Sequence, residues 1–144
     1  MDLKPTIVLL AGPTASGKSK LATELSKVLK GEIVNADSMQ VYKELRILTS
    51  RPSSSDVKKV KHHLYGFISV KQNFSTGTWL NIAIKKIKSI LKKKKVPILV
   101  GGTGLYFKAL VDGLAQIPDV PILQREKIRK YHKKFVKKNF IMNY

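Results

Sequence analysis

Cysteine is absent from the 144 residues, so no disulfide framework and no thiolate metal site can form, which fits a reducing compartment. Acidic residues are scarce: nine Asp and Glu stand against 28 Lys and Arg, a formal net charge of +19. Arginine is scarce too, confined to Arg46, Arg51, Arg125 and Arg129, so the excess is almost all lysine. Two readings of that excess stand side by side, attraction to polyanions, nucleic acid first among them, and a compositional bias toward lysine. No apolar run approaches the length that crosses a bilayer. The short run "TIVLL" after Lys4 leads straight into a glycine-rich loop, which suits a buried strand and not a secretory signal. A cytoplasmic, monomeric protein without membrane contact is expected. Histidine is limited to His62, His63 and the remote His132. Adjacent side chains on a strand point to opposite faces, so packing or hydrogen bonding is expected of this pair rather than metal ligation.

The length and a hydrophobic content of 43% suit one domain with a real core. Within "AGPTASGKSK", Gly12, four intervening residues (Pro13, Thr14, Ala15, Ser16), then Gly17, Lys18 and Ser19 spell the phosphate-cradling G-x-x-x-x-G-K-[ST] pattern. Backbone N–H groups, a lysine and a hydroxyl in that order can grip a di- or triphosphate and its Mg²⁺, with Ser19 as the metal-binding hydroxyl. The context agrees. "TIVLLA" is continuously apolar, as a central parallel strand covered on both faces requires. "KSKLATELSKVLK" carries Leu21, Leu25, Val28 and Leu29 at helical spacing, with Gly31 as its stop. A second strand, "EIVNA", ends at Asp37 and brings a carboxylate to the strand end where α/β sheets bind ligands.

After a turn-rich stretch through "RPSSSD", a helix start is expected near Asp56 and a strand within "HHLYGFIS". Ser75 stands as the N-cap of a helix whose apolar face is Leu80, Ala83, Ile84, Ile87, Ile90 and Leu91. Lys92 to Lys95 follow, where cations complement a helix's carbonyl end. "VPILVGGTGLYFKALVDGL" repeats the opening logic of strand, glycine turn and helix, and its turn can approach a backbone or an anion closely. From Pro121 a basic helix with Ile128, Tyr131, Phe135 and Val136 is expected. The fold class is therefore α/β: a P-loop NTPase-like parallel sheet flanked by helices over residues 1–120, then a basic helical tail over 121–144. An ordinary P-loop hydrolase also wants an acid at the end of a later strand, and "VPILV" ends in Gly-Gly instead. Asp37 is the one well-placed acid, either a metal-organising group or a general base. A nucleotide or small-molecule kinase using the loop for ATP, and a non-catalytic basic RNA-binding protein, stay open at this point.

Taken in order, "GPTASGKS", "NADSMQVYKELRILTSRPS", "HHLYGFISV", "FSTGTWL" and "PILVGGTGLYFKALVDGLAQIP" resemble the N-terminal half of the bacterial tRNA dimethylallyltransferases. The resemblance runs from about residue 5 to about residue 130. It implies a nucleotide-binding-type loop that holds dimethylallyl diphosphate, and transfer of the dimethylallyl group, with Mg²⁺, to N6 of the adenosine 3′ of the tRNA anticodon. Gly12 to Ser19 would be the diphosphate site, with Thr14 near the departing oxygen and Lys18 neutralising charge. Asp37 would be the general base. Asp37, Ser38, Met39 and Gln40 would touch the target nucleotide, and Thr103 and Arg125 the tRNA. The chain departs from the family pattern at "ILTSRP", where I-G-T-A-K-P is common, and it lacks the second half that carries most of the tRNA channel.

Overall fold

The computed structural model describes residues 6–115 and 120–141. The chain divides into two units, Met1–Leu114 and Ala115–Tyr144. The first unit is built on four strands, β1 (Val8–Ala11), β2 (Gly31–Asn35), β3 (His62–His63) and β4 (Val96–Gly101), all parallel in the order β1-β4-β2-β3. Helices α1 (Lys18–Val28), α2 (Ser54–Lys59) and α3 (Thr76–Lys92) connect them, and α4 (Gly104–Asp112) follows β4. The second unit is α5 (Ile122–Ile141), the basic helix read from the sequence, with Tyr131 and Phe135 stacked one turn apart at 6.2 Å.

The two glycine turns leave the sheet at the same end because the strands are in step. Ala11 lies beside Gly101, and Asn35 beside Val100. The carboxyl ends of β1, β4 and β2 thus coincide, which is where an open α/β sheet binds ligands. Side-chain alternation sorts the core onto two faces. Ile33, Ile98 and Val100 meet Ala22 of α1 on one, while Val34, Ala36 and Leu99 meet Trp79, Ala83, Ile87 and Ile90 of α3 and Tyr106 of α4 on the other. Trp79 is fully buried, stacks on Tyr106 at 4.1 Å, and donates its indole N–H to Asn35 O at 3.0 Å.

Local signals set the helix starts. Ser75 Oγ accepts from Thr78 N–H at 3.1 Å, the cap expected for α3. Ser53 and Asp56 form a reciprocal capping box, so α2 begins two residues ahead of the expected Asp56. Gly17, at φ 81, takes the left-handed conformation that lets the loop swing into α1.

Four expectations change. β1 is an edge strand rather than the central one, because among the described residues only β4 pairs with it. The sheet's interior strands are β4 and β2. In α1 the buried residues are Ala22 and Ser26; of the expected apolar set Leu21, Leu25, Val28 and Leu29, only Leu25 packs against the core and the other three are exposed. Gly31 does not stop α1. The left-handed residue there is Lys30, at φ 52, and Gly31 opens β2, where a Cβ would stand 2.8 Å from Ile98 Cδ1 and from Val96 O. Finally, "HHLYGFIS" yields only the two-residue β3 and an isolated bridge between Tyr42 and Ile68. No helix among the described residues is long and apolar enough to cross a membrane.

Candidate functional site

The loop from Gly12 to Ser19 joins β1 to α1 and ends on the helix's first N–H groups, which are unsatisfied within the helix and favour an anion. Ala15 sits at φ 63, a left-handed conformation costing a non-glycine residue about 1 kcal/mol. Ser16 Oγ and Lys18 Nζ both donate to Pro13 O, folding the loop over on itself.

Asp37 is presented by β2 through a turn built by Asn35. The fully buried Asn35 side chain donates to Asp37 O and Leu64 O, both at 3.0 Å, and accepts from Asp37 N–H at 3.0 Å. The Asp37 carboxylate accepts from Met39 N–H at 2.9 Å through Oδ1. Its Oδ2 faces the second glycine turn, where a Cβ on Gly102 would lie 3.9 Å away and 3.3 Å from Gly12 O. Gly101 is pressed against the end of β2 so tightly that a Cβ would fall 2.0 Å from Ala36 O. Three segments far apart in sequence therefore converge: the phosphate loop, the Asp37 turn and the Gly101–Gly102 turn.

They surround a cavity of about 310 Å³. Thr14 to Lys20 form one wall, Asp37 and Gln40 a second, Val100 and Gly101 the floor, and Thr49, Ser50 and Tyr65 the remainder. Of the residues singled out from the sequence, Thr14, Ala15, Ser16, Gly17, Lys18, Ser19, Asp37 and Gln40 line it. Gly12 and Pro13 belong to the same loop without lining the cavity. Ser38 and Thr103 stand behind it, hydrogen-bonded to each other. Met39 is half exposed beside Asp37, and Gln40 Nε2 donates to Thr49 O at 2.9 Å. Arg125 lies on α5, in the other unit.

Sequence reasoning did not find Tyr65 or Asn35. Burial pushes the Tyr65 phenol above its ordinary range, and the Asp37 charge adds to the shift, so its hydroxyl keeps its proton. Only the chain's return from β3 brings Tyr65 to the cavity. Asn35 could have been noticed as a polar residue inside an apolar strand, since such residues are buried only with partners.

The histidine pair splits as strand alternation requires. His62 Nδ1 contacts Val60 O at 2.7 Å, and its ring meets Tyr65 edge-on. His63 Nε2 lies 2.6 Å from Glu32 Oε2, and Lys95 Nζ donates to Glu32 Oε1 at 2.9 Å. Glu32 is buried on β2, His63 is half-buried on β3 and Lys95 reaches in from the exposed turn before β4; none of the three lines the cavity. Among the described residues no group of three or more His, Asp or Glu is arranged to hold a metal.

Comparison with known proteins identifies the family of this chain. A family model described as IPP transferase matches residues 40–141. The tRNA dimethylallyltransferase of Pelagibacter ubique is 56% identical over 140 residues, 97% of this chain and 45% of that protein. That of Parvibaculum lavamentivorans is 52% identical over 122 residues, 85% of this chain and 39% of the relative. The crystal structure of the full-length tRNA isopentenylpyrophosphate transferase of Bacillus halodurans superposes with a TM-score of 0.76 at 32% identity, over 91% of this chain and 44% of that one. A eukaryotic dimethylallyltransferase acting on tRNA superposes with a TM-score of 0.73 at 29% identity, over 81% of this chain and 28% of that one. The chain spans less than half the length of the curated relatives it matches. With most of its residues matched by the family model and more than half of them identical to a relative's, the chain belongs to the IPP transferase family.

Proposed function

We propose that this chain is the donor-binding part of a tRNA dimethylallyltransferase. The observation that carries the reading is the convergence of a phosphate loop, one carboxylate and a second glycine turn on a single cavity, in a member of this family. The N–H groups of the loop and of the first turn of α1 would hold the diphosphate of dimethylallyl diphosphate, with Lys18 as the neutralising charge. Thr14 would lie at the bridging oxygen. Asp37, held by Met39 N–H through one oxygen, keeps the other for the N6 amine of adenosine. As the N6–carbon bond forms and the carbon–oxygen bond to diphosphate breaks, that oxygen takes the amine proton.

The Ser19 hydroxyl lines the same cavity, a single oxygen donor that fits Mg²⁺, which takes waters and phosphate oxygens as its other ligands. When bound, it would neutralise charge developing on the departing diphosphate. Ser38, Met39 and Gln40 extend the Asp37 wall toward the target nucleotide. Thr103 and Arg125 would contact the tRNA backbone, Arg125 from the basic tail that we read as the opening of a helical tRNA-binding domain. The +19 charge favours such a polyanion. On this reading the protein works as a cytoplasmic monomer.

Calorimetry with dimethylallyl diphosphate and with ATP, each with Mg²⁺, tests the proposal. Preference for the prenyl donor, lost in Lys18→Ala, is the expected result; preference for ATP would replace the reading with a kinase. RNA affinity insensitive to donor and to Lys18→Ala would leave only a basic RNA-binding protein.

A further inference from the structure

One side of the cavity is built from strained backbone, and a single arginine holds it. Thr49, Ser50 and Tyr65 complete the lining, with Gln40 joined to them through its bond to Thr49 O. Ser50, at φ 50, and Leu64, at φ 63, are left-handed without being glycine, and Gly66 is left-handed at φ 52. Such conformations persist only where their surroundings over-determine them.

Arg51 supplies the constraint. Its Nη1 donates to Tyr42 O and its Nη2 to Lys43 O, both at 3.3 Å. The guanidinium lies against Gly66, where an added Cβ would fall 1.3 Å from Nη1 and 2.5 Å from Cζ, so only glycine leaves room for it. Gly66 N–H in turn donates to Gln40 O at 2.9 Å, and Lys43 N–H to Ile68 O at 2.8 Å. Asn35 Nδ2 holds Leu64 through its carbonyl. The guanidinium therefore ties together the segment 40–43, the bend at 49–51 and the return at 64–66, which between them supply Gln40, Thr49, Ser50 and Tyr65. Among the described residues no carboxylate pairs with Arg51, so backbone carbonyls and not an acid fix its place. The planar fork suits this seat, because a lysine ammonium cannot lie flat on Gly66 and bond both carbonyls at once.

We propose that Arg51 is a positioning residue for the cavity: seated on Gly66, it sets the wall of Gln40, Thr49, Ser50 and Tyr65 against the phosphate loop. On the reaction proposed above, the loop holds the diphosphate, and the wall is met by what extends beyond it, the dimethylallyl group first. That assignment of the wall rests on the proposed reaction; the seating of Arg51 on Gly66 does not.

Three measurements on the 144-residue chain test the proposal. In Arg51→Ala, hydrogen exchange at the Gly66 and Phe67 amides, which donate to Gln40 O and Val41 O, should speed up about 30-fold relative to the Leu99 amide of β4, as expected for losing two hydrogen bonds locally. Gly66→Ala should raise the unfolding equilibrium constant about tenfold more in the parent than in Arg51→Ala, where only the backbone strain remains. In calorimetry with Mg²⁺, Arg51→Ala and Arg51→Met should weaken dimethylallyl diphosphate about tenfold and inorganic diphosphate by less than about twofold. Arg51→Lys, which keeps one carbonyl bond, should lose about threefold for the prenyl donor. Additive effects in the cycle, exchange that rises equally at Gly66 and Leu99, or equal weakening of the two ligands would overturn the proposal. Arg51→Met as good as Arg51→Lys would reduce the side chain to packing and overturn it too. A salt dependence of tRNA affinity that falls by about one charge in Arg51→Met, with the ligand ratio unchanged, would make Arg51 a phosphate contact instead. A parent that binds both ligands equally would sink the prenyl-donor reading, and the exchange and cycle measurements would still decide the role of Arg51.

Discussion

Ser38 and Thr103, at the ends of β2 and β4, clasp each other through two hydrogen bonds: Ser38 N–H donates to Thr103 Oγ1 at 2.8 Å, and Thr103 Oγ1 donates to Ser38 Oγ at 3.2 Å. The clasp ties the turn that carries Asp37 to the second glycine turn. Thr103→Val keeps the shape and removes both bonds, so urea denaturation should show a loss of about 1–2 kcal/mol. In the chain fused to the rest of a relative, the proposed dimethylallyl transfer should slow more than donor affinity falls, because the loop from Gly12 to Ser19 is untouched. Equal losses in both would mean that the clasp supports the fold and not the turn.

Asp37 and Lys18 should separate by the step each serves. In the chain fused to the rest of a relative, Asp37→Asn is expected to lower dimethylallyl transfer by about 10²–10⁴-fold with donor binding nearly intact. Lys18→Ala should weaken donor binding first. Single-turnover rates and calorimetry on the same variants check both. Donor binding lost in Asp37→Asn in step with Mg²⁺ would make the carboxylate a metal organiser.

Two glycines of the second turn should respond in opposite ways. Gly101→Ala puts a methyl 2.0 Å from Ala36 O, backbone that cannot move without breaking the β2–β4 ladder, so stability should fall by about 3 kcal/mol or more. Gly104→Ala opens α4 where a Cβ would meet nothing within 4 Å. There the smaller entropy of the unfolded chain should stabilise by roughly 0.5 kcal/mol. Thermal melts of the two variants decide.

Acid should destabilise this chain over two pH windows through the cluster around the buried Glu32. Burial pushes the Glu32 carboxyl up, but hydrogen bonds and charge from Lys95 and His63 outweigh it and hold the group at about 2. A folded pKa below the unfolded one contributes stability at higher pH, lost as pH falls from the ordinary carboxylate range toward 2. His63 is also lowered, by burial first and by Lys86 and Lys61, with Glu32 opposing. The unfolded chain therefore takes up that proton more readily, and stability begins to fall below the ordinary histidine range. At about 1.4 kcal/mol per unit, the Glu32 contribution amounts to a few kcal/mol. Urea midpoints from pH 8 to pH 3 should decline through both windows, and Glu32→Gln should remove the lower one. A slope unchanged by Glu32→Gln would reassign the acid sensitivity.

The phosphate loop, the capped α3 and the glycine turn after β4 were legible in the sequence because each is a local rule: a spacing, a cap, a φ that suits glycine. Asp37 was legible for a related reason, since a strand followed by an acid puts that acid at the ligand-binding end of a parallel sheet. The depth of the site was not. Tyr65 reaches the cavity through the return from β3, and Asn35 shapes the Asp37 turn through partners at Leu64 and Trp79 that only folding brings near. Glu32, His63 and Lys95 follow the same pattern: the histidine pair and the lysine run were visible in the sequence, but their meeting on Glu32 across two strands and a helix end was not.

What the sequence determined by itself was therefore the set of elements and the chemistry each carries, because backbone propensity and short motifs act over a few residues. Strand order and helix facing were decided by the tertiary structure. The same apolar run serves at the centre or the edge of a sheet, and the same helical stripe is buried or exposed, according to which other segments arrive beside it. β1 and the Leu21–Val28 side of α1 have the composition of an interior, and their exposure is a property of the assembled unit that no local rule encodes.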